Sequence, residues 1–404
     1  MGNQLANVRR REILIEIPIE ILLEIVARAD PTTLIRFAAT SKHLRRHTTD
    51  PAFLRHYHHA EPGFVPSLLV GMFRQHCGHY SEPYRFVPVS PSTKLTLQLA
   101  PPTDAADDSF EHYIPFGSRG GLLLLHGRRG NLMQLCVCNP VTGRYSYLPD
   151  MTLRHDYLHV LLPGGEDDVD NDHNKGLSFR LLVADRAWRT QTFSSETGSW
   201  GPVTETPGVL PYYEVTHHGP VVLRGVAHWL SRHTPSDRYQ VLAIRLGDGQ
   251  AAAIGEVPEL CLRRRRTGPN DPANYKNLLL VSTDGRQLGL LVAEVMVICL
   301  WTLSEDSKSW GARRVVVDRN RMIMLRSVKL HCAILGCIYL DLEWFGEASG
   351  AVVLRQQGAG ILVLNLRTGE IVQPRGCSEL VSGSFRCCPY EVDLVSLIAG
   401  LQPF

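Results

Sequence analysis

Five turn-like tripeptides recur along this chain at nearly even spacing, and they constrain its architecture more than any other feature. Thr142-Gly143-Arg144, Thr197-Gly198-Ser199, Asp248-Gly249-Gln250, Ser307-Lys308-Ser309 and Thr368-Gly369-Glu370 follow one another at steps of 51 to 61 residues. Glycine suits the positive φ of a tight turn. Between the turns lie short apolar runs such as GGLLLLH, LMQLCVC, SFRLLVA, YQVLAIRL, QLGLLVAE and GILVLNL. These runs have strand length and no helical period.

A four-stranded unit repeating at roughly 50 residues is the period of a kelch-like propeller blade. The chain after residue 95 has room for about six such units. A β-sandwich with irregular repeats is the alternative. The radial repeat is preferred because so long a series of sheets needs a neighbour on each face to bury it. The expected fold class is therefore an all-β propeller over 110–404. It follows a Pro-punctuated stretch over 61–109, read as a linker from Pro62, Pro66, Pro83, Pro88, Pro91, Pro101 and Pro102.

The chain's 404 residues are 44% hydrophobic and 20% charged, the balance of a folded protein. A net charge of +2 creates no global field, so no nucleic-acid partner is expected. The longest apolar run, Leu288–Leu303, is broken by Glu294 and is too short to span a bilayer, so no membrane partner is expected either. The opening MGNQLANVRRRE lacks an apolar h-region, and Ala6 stands where a myristoylation motif needs Ser or Thr. None of the ten cysteines forms a CxxC pair. Cys136 and Cys138 share one face of a strand as small core residues. Reduced thiols and a cytosolic or nuclear compartment are expected.

Residues 13–60 read differently. Asp30-Pro31 and Asp50-Pro51 each pair an N-capping side chain with a residue suited to the first helical turn, and Pro18 fits the same position. Helices are predicted near 18–28, 31–39, 42–48 and 51–59, with Ser41 as a cap. In the first, Ile19, Ile21, Leu22, Leu23, Ile25 and Val26 are apolar, while Glu20, Glu24 and Arg28 form a solvated row. Six apolar residues in so short a helix cover more than one core-facing stripe. One stripe can pack on Leu34, Phe37 and Leu44. The remainder either packs on the rest of the chain or marks a protein-binding surface, because a ~45-residue unit has little core of its own.

This stretch resembles an F-box, the helical module that docks the Skp adaptor of cullin–RING ubiquitin ligases. The family's Leu-Pro-x-Glu-Ile/Leu-Leu is met by Ile17-Pro18-Ile19-Glu20-Ile21-Leu22, and its Leu-x-Arg-Phe by Leu34-Ile35-Arg36-Phe37. Val-Cys-Lys-x-Trp is met by Thr40-Ser41-Lys42-His43-Leu44, and Asp-Pro-x-Phe by Asp50-Pro51-Ala52-Phe53. Ile17 replaces a Leu and Leu44 replaces a Trp, a loss of anchor volume. The resemblance implies docking through Ile17, Pro18, Ile21, Leu22, Ile25, Leu34, Ile35 and Leu44. Together with Gly117–Leu123 and Cys138–Gly143, it also resembles the plant F-box proteins with an F-box-associated domain.

No motif points to chemistry. His76, Cys77 and His79 lack two further ligands for zinc. Asp168, Asp170, Asp172 and Asn174 alternate like a calcium loop, but His173 and Phe179 occupy the slots that need Gly and Glu. The glycines of 117–121 have neither dinucleotide nor P-loop spacing, and Ser382-Gly383-Ser384 is not a nucleophile elbow. Trp188, Trp200, Trp229, Trp301 and Trp310 read as blade core. Arg263, Arg264, Arg265 and Arg266 form a basic loop that could meet a target, beside the acidic loop 163–176. The expected function is that of a non-catalytic substrate adaptor without cofactor, linking a Skp-type subunit, and through it a cullin, to an unknown protein target. A non-degradative scaffold, or a propeller lectin or glycoside hydrolase with a vestigial F-box, is the alternative.

Overall fold

The structure is a computed structural model. It describes residues 17–27, 31–50 and 53, and most of 64–398 outside 77–84, 90–112, 154–157, 165–176, 206–212, 263–276, 322–339, 375–384 and 393–397. The chain divides into two compact units, Met1–Glu61 with Gln402–Phe404, and Pro62–Leu401.

The first unit contains α1 (Ile19–Ala27), α2 (Pro31–Thr40) and α3 (Lys42–Thr48). Each begins where the sequence chemistry places it. The Pro18 carbonyl accepts from the Ile21 and Leu22 amides at 3.1 and 3.2 Å, which starts α1. Pro31 opens α2. Ser41, with extended φ and ψ, caps α3 by accepting from the Leu44 amide at 3.1 Å. Val26, Leu34, Ala38 and Thr48 are buried. The expected helix over 51–59 falls outside the described residues apart from Phe53.

The second unit is a propeller of six sheets. Its first two strands, β1 (Leu69–His76) and β2 (Arg85–Pro88), belong to the last sheet. The first blade is β3 (Ile114–Arg119), β4 (Leu122–Arg129), β5 (Leu132–Asn139) and β6 (Arg144–Tyr147). The second is β7 (Leu158–Pro163), β8 (Phe179–Ala184), β9 (Thr190–Ser194) and β10 (Ser199–Trp200). The third holds β11 (Tyr213–Val215), β12 (Val221–Leu223), β13 (Val226–His233), β14 (Arg238–Arg245) and β15 (Ala251–Glu256), followed by the short helix α4 (Glu259–Leu262). The fourth is β16 (Leu278–Thr283), β17 (Gln287–Ala293), β18 (Ile298–Thr302) and β19 (Arg314–Val317). The fifth is β20 (Leu340–Phe345), β21 (Ala351–Gln356), β22 (Gly360–Asn365) and β23 (Ile371–Val372). Every pairing within these sheets is antiparallel, and β24 (Phe385–Glu391) completes the sixth in the order β2-β1-β24.

The stretch 61–109, expected as a linker, therefore holds β1 and β2. Its prolines misled because they punctuate rather than exclude strands: Pro88 ends β2 on an edge, where no ladder donor is needed.

Four of the repeating turns, those built on Gly143, Gly198, Gly249 and Gly369, each lead into the last strand of a blade, whereas Ser307 and Lys308 lie outside the described residues. Gly143, Gly198, Gly249 and Gly369 have φ between 64° and 70°. Each donates its amide to the carbonyl four residues earlier, on Asn139, Ser194, Arg245 and Asn365, at 2.8 to 2.9 Å. Tryptophans after two of these turns tie neighbouring blades together. Trp200 Nε1 donates to the Pro149 carbonyl at 2.8 Å, and Trp310 Nε1 to that of Glu256 at 2.9 Å.

The core lies between blades rather than within one sandwich. Leu124 and Val137 of the first blade pack with Leu181 and Phe193 of the second. Val160 and Leu182 of the second pack with Trp229 and Leu242 of the third. Middle strands are covered on both faces, so Leu122, Leu123, Leu124 and Leu125 are all buried, and the sequence runs apolar rather than alternating. Trp188 and Trp229 are core residues, each 2% exposed, while Trp200, Trp301 and Trp310 are half-buried against the same clusters.

The C-terminal strand locks the ring. Beside its pairing with β1, Tyr390 donates its hydroxyl to the Gly121 carbonyl at 2.9 Å, and Ser118 Oγ donates to that of Pro389 at 2.5 Å. Both bonds reach the first blade. Glu391 reaches the fifth, accepting from the Ser349 amide at 2.7 Å and the Ala348 amide at 3.3 Å. Phe64, ahead of β1, packs edge-on against Phe345, with ring centroids 5.8 Å apart. Gly350, at φ +63°, leaves it room, since a Cβ there would lie 2.1 Å from the Phe64 ring.

A propeller fragment beginning at residue 62 should therefore fold, whereas one beginning at residue 95 leaves β24 unpaired. The shorter fragment should melt at least ~10 °C lower in calorimetry, since each lost kcal/mol shifts the midpoint of a large domain by a few degrees. Equal midpoints would show that β1 and β2 do not close the ring.

Glu391 also carries a pH signature. Burial raises its pKa above 4.5, its backbone donors oppose the shift, and Glu347 adds to it. A raised folded pKa favours the folded state below the unfolded value, and that contribution is lost as pH rises through the folded pKa. The melting temperature of the wild type relative to Glu391→Gln should fall as pH is raised from acid toward neutral. A difference that stays flat or rises with pH would refute this role.

Candidate protein-docking surfaces

Ile21 and Ile25 stand four apart on α1 and form a ridge along its outer face, and Ile17 is exposed two residues ahead of the helix. Ile17, Ile21 and Ile25 are 48%, 51% and 56% exposed, while Val26 on the same helix is 4% exposed and Leu34 and Ala38 of α2 are fully buried. The unit thus has a small closed core and, apart from it, an apolar ridge in water. Covering each isoleucine from half exposure is worth about 1 kcal/mol.

Pro18 is exposed at the head of this ridge, and Leu22 and Leu44 are half-buried. Leu34, expected on the docking face, is fully buried within the unit. Ile35 lies in α2, with its side chain outside the described residues. Arg263, Arg264, Arg265, Arg266 and the acidic loop over 165–176 are likewise outside them.

On the propeller, the turns joining first to second strands carry a polar network that sequence reading missed. Glu347 Oε2 accepts from Arg119 Nε and Nη2 at 2.9 and 2.8 Å, and its Oε1 accepts from the Val222 amide at 2.8 Å. Arg119 Nη1 also donates to the Leu161 carbonyl at 3.3 Å. One carboxylate and one guanidinium thus connect blades one, two, three and five. No local signal marks the pair, because its members are 228 residues apart.

Glu347 and Glu391 are two carboxylates in one region, the arrangement that would favour a hydrolase. Both are engaged in holding backbone and guanidinium groups. Beside Arg119, Phe116 is 45% exposed and stacks on His159 with ring centroids 4.3 Å apart. Removal from water and the neighbouring His126 push His159 down to about 4, so it is neutral at physiological pH. Among the described residues no group of three or more His, Cys, Asp or Glu could hold a metal ion. Burial pushes the Cys136, Cys261 and Cys388 thiols up to about 12, far from nucleophilic chemistry near neutrality. No helix among the described residues is long and apolar enough to cross a membrane.

Comparison with known proteins agrees with this two-part organisation. Residues 14–60 match the F-box-like family. Residues 85–404 match the family described as a domain of unknown function, DUF7595. The chain is similar to the Arabidopsis thaliana F-box protein At5g18160, at 24% identity over 73% of this chain and 69% of that protein. It is also similar to F-box protein At1g20360 of the same plant, at 23% identity over 81% of this chain and 99% of that protein. Among solved structures, it is similar to a luciferin-regenerating enzyme (9% identity, 66% of this chain and 78% of that chain, TM-score 0.36). A complex of KlAtg21 with the coiled coil of AgAtg16 is another (8% identity, 77% and 86%, TM-score 0.38). At these scores neither carries functional information. The DUF7595 match spans most of the chain, and an F-box-like match precedes it: the chain belongs to the DUF7595 family, as an F-box protein whose second unit is a six-bladed propeller.

Proposed function

We propose that this protein is the substrate-recognition subunit of a Skp–cullin–F-box ubiquitin ligase. The helical unit docks a Skp-type adaptor, the adaptor links it to a cullin, and the propeller holds a protein target. The observation that carries this reading is the exposure of Ile17 and of the Ile21 and Ile25 ridge beside a core of Val26, Leu34 and Ala38. Water-exposed apolar ridges on small helical units are sites of protein association.

The mechanism is proximity. Tethering raises the effective concentration of target lysines near a charged conjugating enzyme, and the bond-making steps belong to other subunits. A rigid, closed ring suits that task, since a bound target then keeps a fixed geometry. The work takes place in the cytoplasm, the nucleus or both. The hydrolase reading has no support in the carboxylates of Glu347 and Glu391, whose oxygens already hold structural partners. The basic 263–266 segment is the proposed target contact, since propellers recognise partners through loops rather than strands.

Titration of the purified chain with a Skp-type adaptor tests the docking half of this function. Replacing Ile21 or Ile25 by Glu sets a charge against an apolar groove and should weaken binding by at least ~100-fold. Both side chains are mostly in water, so neither change should lower the melting temperature. Undiminished binding by both variants would overturn the assignment.

A further inference from the structure

Lysine is scarce along the whole chain. The 42 lysines and arginines divide into 36 arginines and six lysines, Lys42, Lys94, Lys175, Lys276, Lys308 and Lys329. Lysine is ordinarily among the commonest residues of a globular protein. Lys42 is exposed on α3, and the other five lie outside the described residues. Among the described residues of the propeller, every long basic side chain is therefore an arginine. Geometry demands the guanidinium at some positions. Arg119 donates to Glu347 through Nε and Nη2 and to the Leu161 carbonyl through Nη1. Arg189 reaches Asp185 Oδ2 through Nε at 2.8 Å and Nη2 at 2.6 Å. An ammonium reproduces neither fork. Other positions make no such demand. Arg238 meets Glu256, and Arg245 meets Asp248, through one nitrogen each at 3.1 and 3.0 Å, with the arginine side chains 68% and 64% exposed. Arg224 and Arg286 are exposed in the turns ahead of β13 and β17, and Arg180 and Arg314 are exposed on β8 and β19. Among the described residues these four form no ion pair. At all six positions an ammonium would serve as well.

The two cations differ in one property that matters inside a ubiquitin ligase. A lysine amine that has lost its proton attacks the thioester joining the ubiquitin C-terminal carboxyl to the cysteine of a charged conjugating enzyme. The C–S bond breaks, an isopeptide C–N bond forms, and the cysteine leaves as its thiolate. A guanidinium keeps its proton and its delocalised charge, so it is not an acceptor, whereas lysine is the residue that ubiquitin modifies. Tethering raises the effective concentration of every amine in the assembly, the amines of the tethering chain included. Proximity alone does not distinguish the target from the protein that holds it. We infer that the propeller is a holder poor in acceptors: arginine supplies its positive charge and its ion pairs, and the near absence of lysine directs ubiquitin to the bound target instead of to the propeller. This inference rests on the proposed function and deepens it, by giving the chain a means of surviving the transfer that it promotes.

The test uses the full chain assembled with a purified Skp-type adaptor, a cullin–RING pair and a charged conjugating enzyme, with no target added. Discharge of the conjugating enzyme onto free lysine reads ligase activity independently of the chain. One variant carries Arg180→Lys, Arg224→Lys, Arg238→Lys, Arg245→Lys, Arg286→Lys and Arg314→Lys, which doubles the lysines from six and leaves the net charge unchanged. It should be ubiquitinated at least ~two-fold faster than the wild type, because each introduced amine is held at the effective concentration that tethering confers. Mass spectrometry should map the new isopeptide bonds to the introduced residues. A second variant carries Gln at the same six positions, adds no amine, and should be modified as slowly as the wild type. Both should melt close to the wild type, since solvated arginines contribute little to stability. Equal self-modification of the wild type and the lysine variant, with discharge onto free lysine intact, would overturn the inference and leave the docking function standing. The arginines would then be a feature of composition alone. A glutamine variant modified as fast as the lysine variant would also overturn it, because the effect would come from charge. A wild type that binds no adaptor would overturn both the inference and the function.

Discussion

Strand β24 hydrogen-bonds to β1 from Leu69 opposite Glu391 to His76 opposite Phe385, and the rest of the propeller depends on that pairing. Radially stacked sheets bury each blade only if every blade has a neighbour on both sides. A gap in the ring would expose the faces of two blades at once. Here the sixth sheet is built from the two ends of the propeller, so the gap is closed by strands far apart in sequence. The same strand that closes the ring also bonds to the first blade through Tyr390 and to the fifth through Glu391. The Arg119–Glu347 pair then links blades across the ring.

Closure of this kind separates stability from recognition. The apolar residues of the middle strands are consumed between blades, which leaves turns and rims for contact with other molecules. The helical unit works the other way round. Its core is a few residues, and three isoleucines remain in water. The larger unit holds most of the core, and the smaller one has a few core residues beside three exposed isoleucines. That division suits a protein that holds one partner with a rigid ring and joins an assembly through a separate handle.

Much of this was legible in the sequence. The turn glycines gave the blade period because each must reach positive φ, which is a local requirement. The helix starts were legible because Pro18, Pro31 and Ser41 act within one turn of themselves. What was not legible is non-local. Residues 61–109 looked like a linker because β1 and β2 take their meaning from β24, more than 300 residues later in the chain. The Arg119–Glu347 network joins separate blades and has no spacing rule. The burial of Leu34 agrees with the stripe read as packing on Leu34, Phe37 and Leu44, while pattern alone cannot say which apolar residues of so short a unit stay in water.

The central claim is that the exposed ridge is a handle for another protein and the propeller is a closed unit that does not take part in that contact. Hydrogen–deuterium exchange of the full chain, with and without a saturating Skp-type adaptor, tests it directly. The account predicts slower exchange on adding the adaptor across residues 17–48, with exchange in strands β1 and β24 unchanged. Slowed exchange in the propeller strands with none in α1 to α3 would contradict it.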